Sequence, residues 1–229
     1  MDVIITRYMI SPSLNKTIPM QTQIAQAIEV AGAQGLRIRS RKALKTHIIQ
    51  RAQNYGFSLF IHPVYGCDEL MVRTRIKHAR KYGNEPTTKY LVISRAFVRN
   101  LYRIYRKWPE LGELFLKTAL LHEYKHLHQA IGLKENPDER EHEANAFMIE
   151  ESGWPGLIVS VWYYTLRRET RLLDRLFGKP PSLDKDEILK RTVNCIEMIY
   201  YDIIPPELYD EVAEDVFWLE CTFQRHRKR

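Results

Sequence analysis

His122-Glu123-Tyr124-Lys125-His126 lies inside the run Leu114, Phe115, Leu116, Ala119, Leu120, Leu121, Tyr124, Leu127 and Ile131, whose spacing is that of one helix buried through a core. Trp108-Pro109-Glu110 supplies a start, because proline suits the first helical position and Glu110 and Glu113 complement the positive end of the helix dipole. Gly132 is expected to end it. His122, Glu123 and His126 interrupt this apolar surface, where an unpartnered polar group costs roughly 2–7 kcal/mol. The pattern is H-E-x-x-H. Residues four apart on a helix lie about 40° apart around its axis, so both imidazoles leave from one face and can grip one metal ion. Glu123 stands beside them, placed to take a proton from a water polarised by that metal.

Two histidines leave a tetrahedral zinc short of a protein ligand. The next segment offers one. Asn136-Pro137-Asp138-Glu139 reads as an N-cap, a proline at the first helical position and an acidic first turn, with the helix running to about Ser152 and stopped by Gly153-Trp154-Pro155. A connection of about five residues makes the two helices an antiparallel hairpin. At about 1.5 Å per residue, His126 lies roughly 9 Å before the turn and Glu141 roughly 7 Å after it, so the two are level. Glu141 is the expected third ligand. Glu143 is the alternative, since it is also level but points about 200° away around the helix. Asn145 shares the Glu141 face and is expected to accept the spare N–H of His122 or His126. His128 and His142 point elsewhere and read as surface histidines.

H-E-Y-K-H followed by Glu141-His142-Glu143-Ala144-Asn145 resembles the gluzincin metallopeptidases, in which a glutamate from a following helix, often within E-x-x-A-[ND], completes a zinc site. The order of segments from Lys89 to Leu127 is similar to the minigluzincins and the ImmA/IrrE-type proteases, and more distantly to the CAAX-processing type. The resemblance covers about residues 41–153. It implies Zn²⁺ as cofactor, a peptide or protein as substrate, and a small sheet over the active-site helix whose edge strand pairs with extended substrate. Tyr124 and Lys125 depart from it, filling positions that are often small or apolar in those families.

With 229 residues, 45% hydrophobic and 28% charged, the chain is long enough for a sizeable core. No apolar leader follows a basic start, and the longest apolar run, Trp154 to Leu166, falls short of the roughly 20 residues a spanning helix needs. A cytoplasmic location without membrane attachment is the expectation. Cys67, Cys195 and Cys221 are widely spaced and odd in number, which suits reduced thiols. The charge is divided: residues 1–107 hold 19 basic and 5 acidic side chains, the remainder 16 and 23. A basic half can attract nucleic acid or an acidic partner, although no base-reading motif accompanies it.

The expected class is α+β. Three strands, Phe57 to Ile61, Glu69 to Ile76 and Tyr90 to Ser94, are read as a small sheet over the H-E-x-x-H helix and its glutamate partner. Before them come a short strand at Asp2 to Thr6 and helices at Met20 to Ala33 and Arg41 to Asn54; after them, helices at Trp154 to Phe177, Asp186 to Asp202 and Glu207 to Arg225. The expected division is an N-terminal segment (1–40), a metallopeptidase core (41–153) and a helical extension (154–229) packed on it. Ile158, Val161, Trp162, Leu166, Tyr200 and Tyr201 are expected in the core, and Tyr163 or Tyr164 is the candidate for stabilising an oxyanion. The function expected is zinc-dependent peptide hydrolysis with Glu123 as the base. The alternative is a non-catalytic metal-binding regulator that uses the basic half to hold nucleic acid or an acidic partner.

Overall fold

The computed structural model describes residues 18–32, 38–57, 70–75, 88–129, 137–167 and 184–226. Its elements run α1 (Met20–Gly32), α2 (Arg41–Asn54), β1 (Leu70–Arg75), β2 (Thr88–Ile93), α3 (Arg95–Lys107), α4 (Pro109–His128) and α5 (Pro137–Trp162). A π-helical turn (Tyr163–Arg167), α6 (Lys185–Ile199), a 3₁₀ turn (Pro206–Leu208) and α7 (Tyr209–Arg225) complete it. This is a predominantly helical protein, which corrects the α+β class with a three-stranded sheet. Among the described residues the paired strands are β1 and β2 alone, an antiparallel ribbon with Leu70 opposite Ile93 and Arg75 opposite Thr88. Phe57 is buried but lies in no strand, and residues 58–61 fall outside the described residues, as does the expected strand at 2–6. Short alternating runs mark locally extended chain; the class is decided by what the core is made of, and here that is helices.

Helix α4 is the axis of the molecule. It packs against α1, α3, α5 and the β-ribbon, and Leu111, Leu116 and Leu120 are almost wholly enclosed. Its start follows the sequence expectation, with Pro109 at the first position and the Trp108 carbonyl accepting from the Gly112 N–H at 3.1 Å. Its end does not: the helix stops at His128, with Gln129 already extended, rather than continuing to Gly132. Gly112 permits the close approach of α3, since a Cβ there would sit 2.6 Å from the Tyr105 ring.

The second turn of α4 carries a tertiary role beyond the helix dipole. Glu113 accepts from His47 Nε2 at 2.7 Å, pairs with Arg51 Nη2 at 2.6 Å and takes the Tyr105 hydroxyl, tying α2 and α3 to α4. Burial works against its charge. The hydrogen bonds from His47 and Tyr105 and the charges of His47 and Arg51 outweigh burial, holding the carboxyl below the ordinary value of 4.5.

Helix α5 bends where its interruption was expected. Gly153, at φ 63° and ψ −165°, occupies a region essentially reserved for glycine, and Pro155 opens the second half. That second half is locked to α7: the Trp154 indole donates to Asp215 at 2.8 Å and the Trp162 indole to Glu220 at 2.9 Å, with Arg167 also on Glu220. Trp162 and Tyr200 are fully buried, whereas Tyr201, expected in the core, is 48% exposed. No helix among the described residues is long and apolar enough to cross a membrane.

Glu113 makes the stability of the fold pH-dependent. Because its folded pKa is depressed, its contribution is fully present above about pH 4.5 and is lost as pH falls through the folded value. Glu113→Gln should therefore cost roughly 1.5–3 kcal/mol in urea unfolding at pH 7, with the gap to wild type closing below that range. A gap that stays constant down to pH 3 would assign the loss to something other than the carboxylate charge.

Candidate metal centre

The last turns of α4 and the first turns of α5 build the site. Gln129, at the end of α4, reaches Arg140 near the start of α5, and Thr118, further back along α4, lies beside Gly156, further along α5. The helices are therefore antiparallel. Across them His122 Nε2 lies 3.3 Å from Glu141 Oε2, and His126 Nε2 lies 3.3 Å from Glu141 Oε1. The two imidazole Nε2 atoms are 3.1 Å apart. All three ligating groups fall within 4.8 Å of one another.

These separations suit one small cation. An ion bound tetrahedrally at about 2.0–2.1 Å holds its ligand atoms roughly 3.3 Å apart, close to the 3.1 and 3.3 Å found here. The donor chemistry agrees: two imidazole lone pairs and a carboxylate aimed at one point repel unless a proton or a metal ion stands between them. Without a metal the protons take that part. Burial opposes charge on both partners, but the Glu141 hydrogen bond and charge raise the His126 pKa, and His122 and His126 together hold Glu141 well below the carboxylate range.

Gln129 is the residue that sequence reasoning missed. Its amide nitrogen donates to the Arg140 carbonyl at 2.8 Å and to Glu143 Oε2 at 3.2 Å. Its oxygen therefore faces His126 Nδ1, at 2.7 Å. That accounting places a hydrogen on Nδ1, so that a metal displacing the Nε2 proton would meet the lone pair at Nε2, the tautomer a metal requires. The same bond shows where Glu143 goes: its carboxylate meets Gln129 and, at 3.8 Å, Lys125 Nζ. Asn145 is buried beside the site, but its amide nitrogen donates to the Ile199 carbonyl at 3.4 Å. The spacing of His126 and Gln129, three apart, was a readable signal; the fold of Gln129 out of the helix was not.

Glu123 is buried, 5% exposed, on the wall of a recess of about 30 Å³ that His122, Asn145, Tyr164 and the apolar Phe115, Ala119 and Met148 also line. Tyr163 stacks on Phe115 at 4.1 Å between centroids, which commits it to packing. Tyr164 is half-buried with its phenol end enclosed. Burial first, then Tyr200 and the Glu123 carboxylate, push that phenol well above its ordinary value, so it remains a hydrogen-bond donor. His128 and His142 stay outside the cluster, against Tyr124 and Tyr201 respectively.

Comparison of the chain with models of known protein families, with curated proteins and with solved structures finds no match. The site is read from its own chemistry.

Metal analysis of the purified protein should give one zinc per chain, with His126→Ala and Glu141→Ala each losing most of it. Gln129→Ala, which leaves every ligand in place, should weaken zinc by about 10–100-fold. Wild-type zinc content in Glu141→Ala would remove that residue from the ligand set.

Proposed function

We propose that the protein is a zinc-dependent peptidase of gluzincin type, with His122, His126 and Glu141 holding Zn²⁺ and Glu123 as general base. The observation that carries this reading is the triangle of two Nε2 atoms and one carboxylate at 3.1–3.3 Å with a buried carboxylate on the adjacent residue. Zinc, when bound, supplies a Lewis acid that acidifies water and polarises a carbonyl. Glu123 takes the proton of the attacking water at its carboxylate oxygen; as the new C–O bond forms and the peptide C–N bond breaks, it passes that proton to the leaving amine. Tyr164 donates its phenolic hydrogen to the substrate oxygen as negative charge develops there. The apolar wall beside Glu123 keeps water from competing for these bonds. A cytoplasmic setting accompanies the reading, in keeping with three widely spaced cysteines, an odd number.

Glu123→Gln should retain zinc and lose about 10²–10⁴-fold in peptide hydrolysis. Tyr164→Phe should lower kcat more than it raises KM. A Glu123→Gln enzyme as active as wild type would remove the mechanism.

A second reading, a metal-binding protein that acts by holding a polyanion, is favoured by one observation. Helices α2 and α3 are free of acidic residues, and Arg41, Lys42, Arg95, Arg103 and Arg106 on them are exposed. It predicts duplex DNA binding that weakens steeply with salt, at a log–log slope of about −0.9 per phosphate contact. Binding below detection at 50 mM salt would dismiss it.

A further inference from the structure

We propose that the turn after α6 is a substrate subsite of the candidate metal centre, selecting peptides that carry an arginine or lysine about three residues from the bond cleaved. This rests on the peptidase reading, whose substrate class it narrows to basic peptides.

Two hydrogen bonds tie the end of α6 to the metal centre. The Ile199 carbonyl accepts from Asn145, and the Tyr200 hydroxyl meets Ser160 Oγ at 2.7 Å. Asn145 and Ser160 both line the recess that holds His122 and Glu123. Tyr200 is fully buried, and its carbonyl accepts from the Ile203 and Ile204 N–H groups, each at 3.1 Å. The turn is therefore organised before a ligand arrives, which lowers the ordering cost of binding. Tyr201, next in the chain, places its ring 5.8 Å from that of His142. His142 adjoins Glu141, whose side chain is 62% exposed, so the cluster opens to solvent on this side. One residue step of about 3.8 Å and that ring separation put the turn on the order of 10 Å from Glu141, or about three residues of extended peptide.

Exposure picks out the surface. Among the described residues three large apolar side chains are exposed, and two of them, Met198 at 47% and Tyr201 at 48%, share this turn. A single such residue is ordinary on a protein surface. A methionine beside an open tyrosine ring offers a seat for the aliphatic stem of a long side chain and a face for its cation.

Charge sets the sign of the occupant. Glu197 and Asp202 flank Met198 and Tyr201, are exposed, and make no ion pair among the described residues. Both act on one place: burial first, and then Glu197 and Asp202, push the Tyr209 phenol above its ordinary value. From α5, the exposed Asp138 and Glu139 lie about 40° and 60° around the helix from His142. Glu207 and Asp210, just beyond the turn, are exposed and acidic too. Against these stands the His142 imidazole. Arg140 points about 160° away from it around α5, and Lys190 lies two turns, roughly 10 Å, back along α6. A cationic side chain covers the ring and meets the carboxylates, whereas an acidic one is repelled.

The test is digestion of a randomised peptide library by the full-length zinc-loaded protein, with the cut sites read by mass spectrometry. Arginine or lysine should be enriched at one position within about four residues of the cut. Tyr201→Ala, and separately the double variant Glu197→Gln/Asp202→Asn, should keep zinc and kcat but raise KM for the preferred peptides about fivefold. Tyr201→Phe, which keeps the ring, should retain the preference, and binding of the same peptides to Glu123→Gln should show it without turnover. Cleavage with no basic preference, or a preference unchanged in both the Tyr201→Ala and the double variant, would overturn the subsite and leave the peptidase reading in place. No cleavage by the wild-type protein would remove the peptidase reading, and the subsite with it.

Discussion

Helix α4 is enclosed by α1, α3, α5 and the ribbon, so each polar group it carries toward its neighbours must meet a partner or bear the cost of desolvation. Much of the architecture answers that constraint. Near its start Glu113 draws His47, Arg51 and Tyr105 around one carboxylate. At its last turns His122 and His126 draw Glu141 from α5. The apolar stretch between them, from Leu114 to Leu121, makes the core against which both polar clusters are held rigid.

The two clusters use the same physics for different ends. In each, burial alone would disfavour charge, and specific partners reverse that preference. Around Glu113 every partner is a protein donor, so the arrangement is self-contained and ties helices together. Around Glu141 the partners are imidazole nitrogens, one of which is oriented by Gln129 through its Nδ1 hydrogen. A carboxylate and two imidazole nitrogens directed at one point are a donor set that suits a cation; a carboxylate among donors is not. The clamp of α7 on α5, Trp154 to Asp215 and Trp162 to Glu220, holds the half of α5 beyond the Gly153 bend.

The boundaries of α2, the opening of α4 and the interruption at Gly153 were legible because each depends on nearby residues: a serine cap, a proline at the first turn, a glycine followed by proline. The grouping of His122, His126 and Glu141 was legible for a related reason. Helical periodicity fixes the first two, and a short antiparallel connection fixes the level of the third. The fold class was not. Strand-like alternation at 69–76 and 90–94 does correspond to β1 and β2, yet two strands do not make a sheet layer when helices fill the core. Asn145 was expected to accept the spare N–H of His122 or His126, because it shares a helix face with Glu141. On His126 the Nδ1 position is met by Gln129, because α4 ends early and the Gln129 side chain turns back.

Sequence by itself determined the chemistry on offer: two imidazoles and a glutamate on one helix, a second glutamate on the next, and a basic first half. Local periodicity and capping suffice for that, since they act within a few residues. Tertiary structure decided which atoms face one another. It placed Glu141 against both Nε2 atoms, turned Glu143 to Gln129 and Lys125, and took Asn145 to the Ile199 carbonyl. Those choices depend on where helices end and how closely they pack, quantities summed over the whole core and so not written in any short stretch of chain.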